Sequence, residues 1–328
     1  MEGYNKLLER QIKRYLKGVS IDSPEWKQML SAISQAYDHH DEDRILIERS
    51  LELSSKELTE ANRSLQEASL IIALKNKDLM DSLEYARLVQ DSLLTRENYV
   101  REIFPDSFIF NQPKNIVSGD FYWLFQRGDD IFLASADCTG HGVPGAFMSV
   151  ISYRFLNEAV RDQGLLKPSD ILAYLNEEIN YSFRTRTSDP GAKNALDIAL
   201  VRMDLKRHRM EFAGVGQKMV VAHHGELVEV KGENAHIGQN LDTNLTPLTN
   251  QDLDLAPGSV LYMFSDGFAD QFGGPGMKRF GNDRFMRLLD SMQHLDFETQ
   301  KAQIQSTFED WKNGYEQVDD TLIMAVKV

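Results

Sequence analysis

The sequence predicts an α+β protein, a layered domain of short strands and helices preceded by a long N-terminal helical and coiled-coil region. Two observations carry this reading. From Glu25 to Leu94 no Pro or Gly interrupts the chain and apolar residues recur every seven positions, whereas beyond Arg101 short apolar runs alternate with turns marked by Gly and Pro. The later runs come in the order strands, two helices, a series of strands, two helices and a last strand, which is the pattern of sheets covered by helices. With 328 residues and 42% hydrophobic content the chain exceeds one usual domain and can bury a proper core.

Taken in order, Tyr4 to Lys17 places Leu7, Leu8, Ile12 and Tyr15 at helical spacing, with Lys6, Arg10, Lys13, Arg14 and Lys17 between them and Gly18 as the stop. The basic face reads as the solvated side of a packed helix, so no membrane binding is expected. Ser23 is placed to cap the next helix, with Pro24 in its first turn. A heptad ladder follows: Leu51, Leu58, Leu65, Ile72, Leu79, Ala86 and Leu93. With these at d, the a positions are Ser55, Asn62, Ser69, Asn76, Leu83 and Gln90, a weak seam in which Asn specifies a parallel two-stranded pairing. The reading divides the chain into a helical segment (residues 1–40), a coiled-coil linker that forms a homodimer (41–95) and a folded domain (96–328). A long solitary helix docked on its own domain is the alternative to pairing.

In the folded domain, 117–125 and 131–136 read as strands joined by a hairpin at Gly128-Asp129. Helices are expected over 144–160 and 168–183, each with Pro in its first turn. Strands follow over 196–203, 209–212, 218–222, 227–230 and 260–264. Helices over 283–292 and 297–311 and a strand over 321–328 complete the order.

A formal charge of −14 argues against a nucleic-acid backbone as partner, which needs clustered cations. Cys138 is the only cysteine, so neither a disulfide framework nor a thiolate zinc cluster is expected. No signal-peptide pattern and no run long enough to span a bilayer is present, and the expected location is the cytoplasm.

The chemistry is concentrated in four aspartates where strand-like runs meet turns: Asp120 in Val-Ser-Gly-Asp-Phe-Tyr, Asp137 in Ala-Asp-Cys-Thr-Gly-His-Gly, Asp266 in Phe-Ser-Asp-Gly and Asp319 in Val-Asp-Asp-Thr-Leu. If one sheet brings these ends together, the carboxylates can coexist only around multivalent cations, because buried unpaired charge is prohibitively costly. Metal-dependent hydrolysis is the chemistry this implies. Singly, Asp266-Gly267 reads as an ordinary turn and Asp319-Asp320 as a solvated strand entry. Together with Asp137 they are hard to explain that way. Cys138 is not read as a phosphatase nucleophile, because Pro144 stands where such a thiol needs an Arg six residues on.

These motifs, with Gln90-Asp91-Ser92-Leu93-Leu94 before them, resemble in order those of the metal-dependent protein serine/threonine phosphatases of the type-2C (PPM) superfamily, in their bacterial SpoIIE-type subgroup. The resemblance covers residues 84–328. It implies an αββα sandwich with two ions, Mn²⁺ or Mg²⁺, at one end of the paired sheets. Asp137 matches the bridging ligand, the Cys138 carbonyl the adjacent donor, Asp266 and Asp319 the other direct ligands, and Asp120 an outer carboxylate orienting water. Oxygen donors without thiolates favour the same hard ions on chemical grounds. His141 falls two places later in its loop than in the eukaryotic Asp-Gly-His pattern; its role stays open between turn-stabilising donor and acid for the leaving oxygen. Asn194-Ala195-Leu196-Asp197 replaces the commoner Asp-Gly-Met-Asp, so Asn194 weakens any third-ion site. Asp197 remains near the cluster, and Asp320 is a further outer-shell candidate.

The subgroup acts on phosphoserine or phosphothreonine of small STAS-fold antagonists of anti-sigma factors, which implies a phosphoprotein substrate and partner switching. Two functions are therefore weighed: an active phosphatase, and a catalytically idle dimeric scaffold that binds a phosphoprotein.

Overall fold

The computed structural model describes residues 3–140, 142–184, 195–239, 241, 247–254 and 256–328. The chain divides into two compact units, Met1–Leu79 and Met80–Val328. The second unit thus begins inside the segment read from sequence as linker, and takes in the last turns of the long helix.

In the first unit Asn5 caps α1 (Lys6–Tyr15) by accepting the Leu7 N–H, and Leu8 and Ile12 of α1 bury against Leu30 of α2 (Pro24–Leu93). The pair is pinned where the Asn5 N–H donates to Ser34 Oγ at 2.7 Å and Tyr37 Oη to Gln11 Oε1 at 3.0 Å. Ser23 Oγ accepts the Trp26 N–H at 3.4 Å, as its place before Pro24 predicts. Beyond this hairpin the d residues Leu51, Leu58, Leu65, Ile72 and Leu79 are all exposed.

The second unit runs α3 (Glu97–Ile103), β1 (Ser107–Gln112), β2 (Phe121–Arg127), β3 (Asp130–Cys138), α4 (Val143–Arg161), α5 (Pro168–Arg184), β4 (Leu196–Asp204), β5 (Arg209–Val215), β6 (Lys218–His223) and β7 (Glu226–Lys231). It continues with β8 (Gln251–Asp254), β9 (Val260–Phe264), α6 (Gly267–Asp270), β10 (Phe272–Gly273), β11 (Lys278–Arg279), α7 (Asn282–Met292), α8 (Phe297–Lys312) and β12 (Thr321–Lys327). Two five-stranded antiparallel sheets result, β2-β3-β4-β5-β8 and β1-β12-β9-β6-β7, with β10 and β11 as a separate ribbon.

The period-two alternation of the strands distributes three cores. On β3, Ile131 and Leu133 meet Leu322 and Met324 of β12 between the sheets. Phe132, Ala134 and Ala136 point the other way, against Leu156 and Ala159 of α4 and Leu172 and Leu175 of α5. On β12, Ile323 and Ala325 face Leu289 of α7 and Ile304 and Phe308 of α8. Strands buried on both faces read as continuous apolar runs, and the four layers are the expected αββα sandwich.

The hairpin at Gly128-Asp129 forms as predicted, with Arg127 opposite Asp130. Strand β1 was not predicted: its partner is β12, paired from Ser107↔Val326 to Gln112↔Thr321 at the far end of the chain. Strand β2 starts at Phe121, not at Val117. The preceding backbone is claimed by side chains instead of a ladder, since Asp320 accepts the N–H groups of Lys114 and Gly119 and Gln90 that of Ser118.

Candidate metal centre

The acidic residues come from the same end of both sheets, not from one sheet as the simplest reading supposed. In the first sheet Phe121 pairs with Ala136 and Asp137 with Asp197, so Asp120, Asp137 and Asp197 stand in a row across β2, β3 and β4. In the second, Phe264 pairs with Ile323, and the chain leaves β9 at Ser265-Asp266 beside the entry to β12 at Asp319-Asp320. The two rows are tied at Ser265, whose Oγ accepts the Leu322 N–H at 3.0 Å and whose hydroxyl is hydrogen-bonded to Asp120.

Burial and mutual repulsion dominate the electrostatics. Burial pushes Asp137 well above the usual carboxylate range, and Asp120, Asp266, Asp319 and Asp197 push it further. Asp120 is raised as strongly by burial and then by Asp320 and Asp319, against the pull of Ser265. Asp266, exposed at the end of β9, is raised to about 6 by desolvation from the surrounding protein and then by Asp270, Asp319 and Asp197. Asp197 is raised by burial and restrained by His236, whose Nδ1 lies 2.6 Å from its Oδ1. Gly216 lies under that carboxylate and has no space for a Cβ.

The supporting residues are mostly ones the sequence did not assign. Gln90, buried at the end of α2, donates to Ser118 O at 2.7 Å and Ser149 Oγ at 2.9 Å and accepts the Ser118 N–H. Gln271, fully buried, donates to Phe272 O and Glu316 O and accepts the Val318 N–H, fixing the approach to Asp319. Asp319 is exposed and accepts the Asp320 N–H at 2.9 Å. Asp320 is buried, with its two oxygens on the Lys114 and Gly119 N–H groups at 2.7 Å each. Gln90 and Ser265 stand in motifs quoted from the sequence but without a role, and Gln271 and His236 in none, because their partners are backbone atoms or loops distant in sequence. His141 and Asn194 lie outside the described residues.

Among the described residues no three His, Cys, Asp or Glu side chains stand in the geometry to hold one ion. Repulsion between unneutralised carboxylates opposes such closeness. The donor chemistry nevertheless fits a hard divalent cation. Asp120 Oδ2 is buried without a hydrogen-bond partner, and each charge acting most strongly on Asp137 is another carboxylate. The Cys138 thiol is buried and pushed up by desolvation, which leaves it inert.

Two helix-covered antiparallel sheets with acids gathered at one end are the architecture of PP2C-type domains. The chain is similar to the SiaA-PP2C domain of Pseudomonas aeruginosa, with a TM-score of 0.70 and 29% identity over 77% of this chain and 98% of that one. Its fold is also that of the PP2C phosphatase domain of SpoIIE from Bacillus subtilis, solved with a fragment of its regulatory domain (TM-score 0.55, 18% identity, 68% of this chain and 63% of that one). Residues 127–328 match the family described as Stage II sporulation protein E (SpoIIE), and the chain belongs to that family. It is 24% identical over 200 residues to the phosphoserine phosphatase RsbU of Bacillus subtilis (strain 168), a match covering 59% of this chain and 55% of that protein. The chain thus spans about half the length of this curated relative.

Proposed function

We propose that the chain is a metal-dependent protein serine/threonine phosphatase acting on a regulatory phosphoprotein. The observation that carries this is the row Asp120–Asp137–Asp197 facing Asp266 and Asp319: carboxylates from two sheets, raised by burial and by one another. Such a cluster needs cations, and phosphoryl transfer is among the reactions that two clustered cations serve. Asp137, the Cys138 carbonyl, Asp266 and Asp319 would hold two ions, Mn²⁺ or Mg²⁺. Bound there, they supply a nucleophile from water at neutral pH and positive charge against the phosphoryl oxygens.

The residues do the rest. Asp120 Oδ2, unpartnered and buried, is the acceptor that orients the attacking water. Ser265 holds Asp120 from the second sheet. The His236 pair holds the Asp197 carboxylate to one side. The buried thiol takes no covalent part. Manganese-dependent release of phosphate from p-nitrophenyl phosphate tests the reading against the idle scaffold: release that EDTA abolishes supports it, and none with any divalent ion overturns it.

The name of the Bacillus subtilis relative supports phosphoserine as the substrate, and a STAS-type anti-sigma antagonist is the partner proposed. The exposed ladder from Leu51 to Leu79 supports homodimerisation through α2. No helix among the described residues is long and apolar enough to cross a membrane.

A further inference from the structure

We infer that Asp320 is a positioning residue: a single buried carboxylate that sets the spacing between the acidic residues of the two sheets. The inference rests on the metal-dependent reading proposed above and assigns a task to a residue outside the ligand set. Asp320 sits at the mouth of β12 and is 4% exposed. Its Oδ1 accepts the Lys114 N–H and its Oδ2 the Gly119 N–H, both at 2.7 Å, which reaches from one sheet to the loop that enters the other. Residues 113–120 belong to no strand, so no ladder fixes that loop. Its place depends on these two bonds together with Gln90.

Apart from Lys114, the backbone that meets Asp320 lies next to an acidic residue of the proposed centre. Gly119 precedes Asp120 and packs on the 138–140 turn, where an added Cβ would lie 3.0 Å from the Cys138 carbonyl oxygen and 3.1 Å from that of Gly140. Gly267 follows Asp266 and rests on the Asp320 main-chain carbonyl, closely enough that any Cβ would collide with it. Asp319 precedes Asp320 and accepts its N–H. Asp120, Asp266 and Asp319 are therefore each next to backbone that meets Asp320, while Gly119 of the gripped loop packs on the Cys138 carbonyl at the end of β3.

The chemistry requires a carboxylate there. Two N–H groups converge, and each needs an acceptor; a charged acceptor shortens and strengthens both bonds. Asparagine is the same size but would set its own NH₂ against one of the two donors, leaving that donor buried and unpaired. Asp320→Asn therefore frees one side of the brace with little change in volume.

The test is calorimetric titration of Mn²⁺ into the metal-stripped full chain, wild type and Asp320→Asn, with p-nitrophenyl phosphate kinetics on both. Expected for the variant is a fall in Mn²⁺ affinity of roughly 10- to 100-fold, the scale on which residues that orient ligands act. Its kcat at low Mn²⁺ should drop, recover with excess Mn²⁺, and leave KM nearly unchanged. Circular dichroism of the metal-free variant separates this from a merely structural defect, which would show as a lower folded fraction before any metal is added, whereas the positioning role predicts weaker Mn²⁺ binding in a fully folded chain. If Asp320→Asn does not fold, Gly119→Ala presses the gripped loop off the Cys138 carbonyl with Asp320 intact, and the same fall is expected. Wild-type Mn²⁺ affinity in a folded Asp320→Asn or Gly119→Ala chain overturns the inference. A wild type that takes up no Mn²⁺ removes the metal reading itself.

Discussion

Asp137 has Asp120, Asp266, Asp319 and Asp197 all raising its pKa, which puts it at the centre of the carboxylates that a bound cation would neutralise. Asp137→Ala should cost roughly 10³-fold in kcat, equivalent to several kcal/mol of charge stabilisation, with near-native circular dichroism as the control for folding. Cys138→Ser should keep turnover, because the assigned donor is the carbonyl; loss of activity with folding and metal content intact would revive a thiol mechanism. The pH dependence of the metal-free protein has a definite sign. Asp266 titrates near 6 against an ordinary 3.8, so it favours the fold while protonated. That contribution is full below the ordinary value and lost as pH rises through about 6. Asp137 and Asp120, also raised, act in the same direction. In EDTA, therefore, melting temperature should decline as pH rises from about 4 through about 6, and saturating Mn²⁺ should remove the decline.

At the scale of elements the decisive pieces are loops, not strands. Gln90→Leu takes the side-chain partner from the Ser118 N–H and leaves its carbonyl the longer bond from Ser149 Oγ at 3.4 Å, which should cost about 1–3 kcal/mol, read as a lower urea midpoint with unchanged slope. The strands were legible where local pattern decides: the Gly128-Asp129 hairpin and the apolar runs of β3, β9 and β12 stand in the sequence much as they stand in the sheets. Strand β1 was not, because only the distant β12 makes Ser107–Gln112 a strand. The start of β2 was misplaced because an apolar pattern does not reveal that Asp320 and Gln90 occupy the backbone of 114–119. The four aspartates were legible as strand-end acids beside turns. The residues behind Asp120, Asp319 and Asp197, namely Ser265, Gln271 and His236, act through contacts 39 or more residues away or through backbone, which leaves no local signature.

For the whole molecule, the proposed pairing through α2 would join the exposed Leu51, Leu58, Leu65, Ile72 and Leu79, with the polar Asn62 and Asn76 weakening the seam. Replacing both asparagines with Ile should tighten self-association in sedimentation equilibrium; a wild-type chain and a double variant that both remain monomeric at micromolar concentration would remove the coiled-coil dimer. The central claim is that acids from two sheets form a divalent-metal centre that hydrolyses a phosphomonoester. It is tested most directly by phosphate release from a phosphoserine peptide, using the metal-stripped chain before and after Mn²⁺ with Asp137→Ala in parallel. Release should be absent in EDTA, appear with Mn²⁺ and vanish in the variant. Equal release in EDTA, or by Asp137→Ala, would contradict it.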